Sequence, residues 1–324
     1  MHILTDCPDK CDRLEGESTK WTRIDGGASQ WSDLLSAMSD NASMWMTTSP
    51  RLDANGGLSC LLIIDLATTS QFDALIKALN DKRSLPPGTA VIALEGRSFH
   101  GLRGRPWQAI RGNIHLSVYY PLVVNAAETA GALTMLPALA VVDAIRTLCG
   151  EQAMPGIKWV NDILIDGKKV AGVLTNTQLQ GTSFHNVVFG IGLNVETSPE
   201  IEPNAFVPAA TCLNAVRGVE EIRMMNALWV LLDALDRRFK LFLSGGLKPM
   251  LAAYREFSLV LGRHVRIWKE SSENIEGSTS SDSLLAGGIV DAIEADLALR
   301  IRGMETPVHS GRLAFEDVCR SIGL

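Results

Sequence analysis

Hydrophobic and polar positions alternate along the chain in two different periods from residue 59 onward. Short apolar or alternating runs predict β-strands at Leu61–Asp65, Ala90–Leu94 and Ile114–Tyr120. Longer segments with apolar residues three or four positions apart predict α-helices at Phe72–Leu79 and Thr129–Leu148. Strands and helices are therefore interleaved in the first half of the chain.

The second half of the main region continues this mixture. Two short strands are predicted at Ile163–Ile165 and Val170–Leu174, because the Asp-Gly pair between them is typical of a tight hairpin turn. A further strand is predicted at Val187–Val195, and Ala227–Leu243 has the clearest helical period in the chain. Strands rich in Val, Ile and Leu between long amphipathic helices predict the α+β class.

The elements become shorter beyond about residue 258. Short strands separated by polar turns are predicted at Val265–Trp268, Gly287–Ile293, Leu297–Ile301 and Pro307–His309. This pattern predicts a small β-barrel at the C-terminal side of the chain.

The polar stretch before residue 58 matches no motif, and we expect its isolated tryptophans to pack on the main domain. These are Trp21, Trp31 and Trp45. We therefore divide the chain into an N-terminal extension of unknown role at residues 1–57, a main domain at 58–257 and a small β-domain at 258–324.

Composition excludes several classes of protein. The 324 residues are 46% hydrophobic and 20% charged, which is typical of a folded domain with a substantial core. The formal charge of −6 gives no electrostatic reason to expect a nucleic-acid partner. The longest apolar stretch, Ala130–Val142, is shorter than the roughly 20 residues that span a bilayer, so no membrane association is expected.

The six cysteines are scattered and suggest a reducing compartment. Only Cys7 and Cys11 are close together, and no second Cys or His pair has the spacing that would complete a zinc site. The first residues are acidic and lack the apolar core of a secretion signal. We expect reduced thiols and a cytoplasmic location, with an organellar pool left open.

Three segments contain residues that suit an anionic ligand. The loop Gly96–Trp107 carries three glycines and four cationic or potentially cationic side chains, and guanidinium groups match phosphate oxygens. Lys158–Gly172 places Lys, Asn and Asp at a strand entrance and a second lysine after the hairpin turn. Gly190–Asn194 has alternate glycines that would let a planar ring lie against the strand. A solvated basic turn and a surface lysine pair are the alternatives for the first two.

Together these residues resemble the biotin–protein ligase family. The match covers about residues 58–315 and leans toward the eukaryotic holocarboxylase synthetase branch. Val160 stands where the family's Lys-Trp-Pro-Asn-Asp motif has proline. The matching segments are Arg-Gly-Arg-x-Trp at Arg103–Trp107, Gly-Asn-x-x-x-Ser at Gly112–Ser117, Lys-Trp-Val-Asn-Asp at Lys158–Asp162, Lys-Val-Ala-Gly-Val-Leu at Lys169–Leu174 and Gly-x-Gly-x-Asn at Gly190–Asn194.

The resemblance implies a fold, a reaction and partners. The fold would be a mixed, mostly antiparallel sheet backed by helices, followed by a small SH3-like β-barrel. The reaction would use Mg²⁺ and ATP to form biotinyl-5′-AMP, and would then pass biotin to a lysine of a biotin carboxyl-carrier domain of a biotin-dependent carboxylase. A homodimer is a further expectation, and no helix-turn-helix pattern precedes the match, so a repressor role is not expected.

The resemblance also implies a role for each matched residue. Lys169 would bridge the biotin carboxyl group and the α-phosphate, and Arg103 and Arg105 would hold phosphates as further catalytic residues. The biotin-binding residues would be Thr68, Thr69, Ser70, His100, Gly101, Leu102 and Lys169. The nucleotide-binding residues would be Trp107, Asn161, Asp162, Gly190, Gly192 and Asn194, with Asp162 also a ligand of Mg²⁺.

One segment departs from the family pattern. Where the family has Gln-x-x-Gly-Arg-Gly-Arg, this chain has Gly96–Leu102, which lacks the glutamine, one glycine and two arginines. Two alternatives to a biotin ligase therefore stay open. One is a non-catalytic homologue that binds biotin or its adenylate, and the other is a lipoate-type protein ligase, although an Arg-Arg-x-Ser-Gly-Gly-Gly stretch is missing from the sequence.

Overall fold

A computed structural model of the chain describes residues 2–11, 19–24, 34, 37–40, 43–48, 57–270 and 283–322. Within these residues, ten strands form one large sheet. They are β1 (His2–Thr5), β2 (Thr22–Ile24), β3 (Met44–Thr48), β4 (Cys60–Ala67), β5 (Thr89–Gly96), β6 (Ile114–Asn125), β7 (Gly156–Lys158), β8 (Asp162–Ile165), β9 (Lys168–Gln180) and β10 (Ser183–Leu193). The helices that accompany this sheet are α1 (Gln71–Asn80), α2 (Ala126–Cys149), α3 (Met224–Gly245) and α4 (Leu247–Glu256).

The large sheet is mixed and mostly antiparallel, as predicted. Its strand order is β2-β3-β1-β4-β5-β6-β10-β9-β8-β7. Only the pairs β1–β4 and β4–β5 are parallel among the described strands, and the other neighbours are antiparallel. The α+β class is therefore confirmed.

The N-terminal residues belong to this sheet, which the sequence did not indicate. Strand β1 lies parallel to β4, with His2 opposite Cys60, and β3 and β2 continue the sheet beyond β1. Trp21 packs against the main core, and Trp45 is half-buried in β3. Trp31 lies outside the described residues. The stretch that we treated as an extension of unknown role thus adds three strands to one edge of the main sheet.

Both faces of the sheet are covered by apolar side chains. Successive side chains of a strand point to opposite faces. In β4, Leu61 and Ile63 therefore join the larger core, which includes residues of α2 and α3, whereas Leu62 and Ile64 join a second core that includes residues of α1. This double burial explains why the strand is a continuous apolar run rather than an alternating one.

Helix α2 runs through Pro137 without ending. Proline has no N–H to donate to the carbonyl four residues earlier, which is that of Leu133. The Thr175 hydroxyl of β9 donates to this carbonyl at 3.3 Å, so the sheet supplies the missing donor. By length and composition, Ala126–Gln152 could also cross a membrane, but 72% of its apolar window is buried in the protein. We interpret it as a core helix.

The C-terminal residues form a separate antiparallel sheet of order β13-β12-β11-β14, as expected for an SH3-like domain. Its strands are β11 (His264–Trp268), β12 (Leu284–Ile293), β13 (Leu299–Ile301) and β14 (Arg312–Phe315), followed by helix α5 (Glu316–Ser321). The predicted strand at Pro307–His309 is wrong, since Val308 makes only a single bridge to Leu299. Trp159 joins the two sheets by donating from Nε1 to the Leu297 carbonyl at 2.7 Å.

Candidate functional site

A cavity of about 540 Å³ opens on the α1 side of the large sheet. Its walls come from the start of α1, the loop before β6, the strands β6, β8, β9 and β10, the segment 199–210 that follows β10, and one residue of the C-terminal sheet. Most of the predicted site residues lie in these walls. They are Ser70, His100, Gly101, Leu102, Arg105, Trp107, Asn161, Asp162, Lys169, Gly190, Gly192 and Asn194.

Three predicted site residues do not line the cavity. The Thr68 and Thr69 hydroxyls donate to the main-chain carbonyls of Met38 and Ala37, at 3.3 and 2.9 Å. The N-terminal segment thus engages the hydroxyls that we expected to face biotin. Arg103 is exposed and its Nε lies 3.0 Å from a carboxylate oxygen of Glu270. The binding roles of these three residues stay predictions.

Lys169 is positioned by a tight turn and by a neighbouring segment. The turn residues Asp166 and Gly167 have φ values of 49° and 75°, as a two-residue hairpin of the predicted kind requires. The main-chain N–H of Lys169 donates to the Ala209 carbonyl, and its carbonyl accepts from Thr211, both at 2.9 Å. With its backbone fixed on both sides, the lysine side chain reaches into the cavity.

The Lys169 ammonium forms the central ion pair of the site. Its Nζ lies 2.6 Å from Oδ1 of Asp162 and 5.7 Å from the centre of the Trp107 ring. Burial by itself would raise the pKa of Asp162, but the charges of Lys169 and Lys158 outweigh it and lower that pKa. Asp162 is therefore ionised and orients the lysine at neutral pH.

Three further cations surround this pair. Lys158 is buried, donates to the Phe206 carbonyl, and has a pKa lowered to about 8, chiefly by burial. Arg105 lies close enough to lower the pKa values of both Lys158 and Asp162. Arg312 enters from β14, and burial together with the Arg105 charge lowers its pKa to about 10.

This arrangement leaves an excess of positive charge at one part of the cavity. Four cationic side chains there lie close to two carboxylates, those of Asp162 and Glu270, and like charges at short range are costly unless an anion lies between them. A polyphosphate is an anion of suitable charge. A magnesium ion that enters with a nucleotide needs only one or two protein carboxylates beside phosphate oxygens, and Asp162 fits that requirement.

The two glycines of β10 are covered by aromatic rings of the protein itself. A Cβ atom at Gly192 would overlap the Trp107 indole, and one at Gly190 would lie 2.9 Å from the Phe72 ring. A planar ring does lie against this strand, but the rings in place are Trp107 and Phe72. The nucleotide-binding role of the glycines stays a prediction.

His115 holds the Trp107 ring and was not predicted. Trp107 Nε1 donates to His115 Nδ1 at 3.2 Å, and His115 Nε2 lies 3.0 Å from the Ile110 carbonyl. Because that carbonyl only accepts, the proton of the neutral imidazole is on Nε2. Burial lowers the pKa of His115 to about 4, so the bond to Trp107 persists at neutral pH. The available signal was a histidine in a strand of mainly apolar residues.

The side-chain amide nitrogens of Asn161 and Asn194 donate hydrogen bonds to main-chain carbonyls of neighbouring segments of the site. Asn161 Nδ2 donates to the Val173 carbonyl at 2.8 Å, and Asn194 Nδ2 donates to the Thr211 carbonyl at 3.0 Å. Asn194 is 1% exposed, and its Oδ1 has no hydrogen-bond partner among the described residues. This oxygen is available as an acceptor, for example for an amino group of a purine.

The loop before β6 is anchored by Phe99 and His100, two residues that differ from the family pattern. Phe99 is buried and its ring covers Gly96, so the first residues of the loop pack into the second core. His100 Nε2 lies 2.8 Å from Asp73 Oδ2, and Nδ1 lies 3.1 Å from the Gly101 carbonyl. Burial would lower the pKa of His100, but these two bonds outweigh it and raise that pKa.

Comparisons with known proteins place the chain among related sequences. Residues 67–194 match the model of the biotin/lipoate A/B protein ligase family. The chain is 32% identical over 195 residues to the biotin–[acetyl-CoA-carboxylase] ligase of Mycobacterium tuberculosis, covering 59% of this chain and 68% of the relative. It is 31% identical over 209 residues to the bifunctional ligase/repressor BirA of Bacillus subtilis, covering 64% of this chain and 62% of the relative.

A solved structure supports the fold. The biotin protein ligase of Aquifex aeolicus in complex with biotin and ATP is similar with a TM-score of 0.57 and 21% identity, over 78% of this chain and 97% of that chain. The chain spans 60% to 62% of the length of the first curated relatives that it matches. Both curated relatives described above are bacterial, so the leaning toward the eukaryotic branch stays a prediction.

Proposed function

The chain belongs to the biotin–protein ligase family, and we propose on this premise that it activates biotin with ATP and transfers it to a protein lysine. The observation that carries the proposal is that three cations, Lys169, Arg105 and Arg312, line the cavity close to Asp162, with the buried Lys158 as a fourth nearby charge. A carboxylate and a triphosphate repel each other, so an enzyme that joins them must supply positive charge where they meet. The cavity supplies this positive charge near Asp162.

The first step would be attack of the biotin carboxylate on the α-phosphorus of ATP. A carboxylate oxygen forms the new O–P bond, the bond to the bridging oxygen breaks, and pyrophosphate leaves. Lys169 would lie between the two anions, held by its 2.6 Å contact with Asp162. Arg105 and Arg312 would hold the phosphates, where charge develops on the leaving group.

The second step would be attack of a neutral lysine amine of the acceptor on the acyl carbon of biotinyl-5′-AMP. The C–O bond of the mixed anhydride breaks, AMP leaves, and the amine loses its proton as the amide forms. Water would otherwise hydrolyse the anhydride. The loop that carries Phe99, His100 and Leu102 lines the cavity and would restrict that access.

The acceptor would be a biotin carboxyl-carrier domain, and the magnesium ion would arrive with ATP. Asp162 is the carboxylate that would contribute a protein oxygen to that ion, together with phosphate oxygens. Two relatives are named biotin–[acetyl-CoA-carboxylase] ligase, and this name supports a carboxylase carrier domain as the acceptor. A homodimer is a further proposal, which the mass of the protein in solution would test.

The experiment that tests the proposal measures the two steps separately. The full chain is incubated with ATP, Mg²⁺ and labelled biotin, with and without an apo carrier domain, and pyrophosphate and carrier label are followed. We expect pyrophosphate to depend on biotin, and label on the carrier to depend on both. Pyrophosphate release with lipoic acid but not biotin would favour the lipoate alternative. Binding of biotin and ATP without pyrophosphate release would favour the non-catalytic alternative.

A further inference from the structure

One buried acceptor in the cavity wall lies outside the cationic group and has no role in the two steps above. It is Oε1 of Gln71, which has no hydrogen-bond partner among the residues that the structure describes. Gln71 is 3% exposed, begins α1, and lines the cavity. A buried amide oxygen without a donor is costly, so this position calls for a donor on the bound ligand.

The orientation of this amide is fixed by its nitrogen. Gln71 Nε2 donates to the main-chain carbonyl of His115. Because a carbonyl only accepts hydrogen bonds, the nitrogen and oxygen of the amide cannot exchange places. His115 is itself fixed, since its strand is central in the sheet and its ring bonds to Trp107 and Ile110. Oε1 is therefore a preoriented acceptor.

Two aromatic rings line the same cavity as Gln71. Phe72 follows Gln71 and its ring lies on Gly190, while the Phe99 ring covers Gly96. Both rings line the cavity. A ligand part that fits here is a compact ring with apolar faces, and it must carry an N–H group to satisfy the amide oxygen.

We propose that Gln71 Oε1 accepts a hydrogen bond from a ring N–H of the acyl substrate and thereby selects a cyclic-urea carboxylic acid. The inference rests on the proposed function and adds to it the residue that decides the ring chemistry. The cyclic urea of biotin has two N–H donors, whereas the dithiolane of lipoic acid has none. Bound lipoic acid would cover the Gln71 oxygen without donating a hydrogen bond to it. We expect this loss to weaken binding roughly tenfold to a hundredfold relative to a ligand with a ring N–H.

The test compares the wild-type chain with Gln71→Met, which keeps the side-chain length and removes the acceptor. Affinities for biotin and for lipoic acid are measured by calorimetry without ATP, and the KM for ATP is measured by pyrophosphate release at saturating biotin. In Gln71→Met we expect the affinity for biotin to fall roughly tenfold to a hundredfold and the affinity for lipoic acid not to fall. The KM for ATP should stay within about twofold, because Gln71 lies outside the cationic group.

A matched control removes a glutamine amide elsewhere. Gln178 of β9 donates to Asn80 at 2.8 Å, accepts from Asn186 at 2.7 Å, and does not line the cavity. Gln178→Met should leave the affinity for biotin unchanged. Melting temperatures of both variants show whether a loss of binding reflects a loss of folding.

A second measurement works with the wild-type chain alone. Each of the two mono-N-methyl derivatives of biotin lacks one urea N–H. We expect one derivative to bind at least about tenfold more weakly than the other, and Gln71→Met to reduce this difference.

The outcomes separate this inference from the proposed function. Equal biotin affinity in Gln71→Met and wild type, or equal binding of biotin and both derivatives by wild type, overturns the role of Gln71. In that case wild-type pyrophosphate release with biotin still supports the ligase. Absence of that release overturns the ligase and the inference with it.

Discussion

Single residues of the site act in pairs rather than alone. The Lys169 ammonium contacts the Asp162 carboxylate, and the field of Lys169 and Lys158 in turn keeps Asp162 ionised. The carboxylate fixes where the lysine charge lies, and the lysine offsets the cost of partly burying the carboxylate. Removing either partner leaves a partly buried charge without its closest counter-charge.

Lys169→Ala should therefore impair the adenylation step itself. It removes a cation from the place where two anions meet, a loss of about 3 kcal/mol in transition-state stabilisation by analogy with a lost oxyanion donor. We expect the rate of biotin-dependent pyrophosphate release to fall by about a hundredfold or more. Lys168→Ala is the matched control, because Lys168 is the preceding residue and is exposed. Wild-type adenylation in Lys169→Ala would show that the reacting groups meet elsewhere.

Gly192→Val should disturb nucleotide binding through Trp107. The structure gives a physical reason that differs from direct contact with adenine, because the valine side chain would occupy the space of the Trp107 indole. We expect the ATP-induced rise in melting temperature to shrink, while the rise induced by biotin alone is retained. If both shifts equal those of wild type, neither Gly192 nor the position of the indole matters for the nucleotide.

The site residues that the sequence predicted well are those that act through local motifs. The turn at Asp166 and Gly167 and the lysine after it lie where the pattern places them. Thr68 and Thr69 were expected to face biotin, but their hydroxyls bond to carbonyls of a segment some thirty residues earlier. No local pattern could show that contact, because it depends on the N-terminal strands joining the sheet.

At the scale of elements, the contact of His100 with Asp73 helps to hold the loop before β6 and depends on pH. Both ring nitrogens of His100 point at groups that only accept, the Asp73 carboxylate and the Gly101 carbonyl, so the contact needs the imidazolium form. The pKa of His100 is accordingly raised. A group whose pKa is higher in the folded state stabilises that state fully below its unfolded pKa, and the contribution is lost as the pH rises through the folded pKa.

This contact predicts a pH dependence of stability. The difference in free energy of unfolding between wild type and His100→Gln should be largest below about pH 6.5, the ordinary histidine pKa, and should shrink as the pH rises above it. Urea titrations between about pH 5.5 and pH 9 measure it. His185→Gln, on β10 outside the loop, is the control and should lack this trend. A difference that grows with pH would contradict the assignment.

Helices and strands were predictable from the sequence where burial of one or both faces gives a clear spacing of apolar residues. Strands β4 and β5 and helices α1, α2 and α3 bury strong apolar faces, and each was predicted within a few residues. Strands β1 to β3 are short, β2 and β3 are partly exposed, and polar sequence surrounds them, so no period marks them. Helix α4 follows directly after Gly246, whose positive φ of 62° ends α3 but also permits a second helix to begin. Whether such segments form strands or helices depends on tertiary packing, which a local sequence pattern does not show.

At the scale of the whole molecule, the C-terminal sheet takes part in the cavity. Arg312 of β14 lines the cavity wall that otherwise belongs to the large sheet, and it lies 3.8 Å over the Phe206 ring. The sequence predicted a small β-domain there but gave no reason to connect it with the site. The connection requires two sheets to pack together, as the bond from Trp159 to Leu297 shows.

Arg312 should therefore make ATP binding depend on the C-terminal sheet. Arg312→Met keeps an apolar side chain against Phe206 and removes the charge, and a charge-assisted hydrogen bond to phosphate contributes roughly 1.5–3 kcal/mol. We expect the KM for ATP in pyrophosphate release to rise roughly tenfold to a hundredfold. Biotin affinity without ATP should be unchanged, because the proposed role of Arg312 is to hold the phosphates. Arg300→Met is the matched control, since Arg300 lies on the same sheet in an exposed ion pair with Glu294. An unchanged KM for ATP in Arg312→Met would mean that the C-terminal sheet closes the cavity without contributing to the binding of the phosphates.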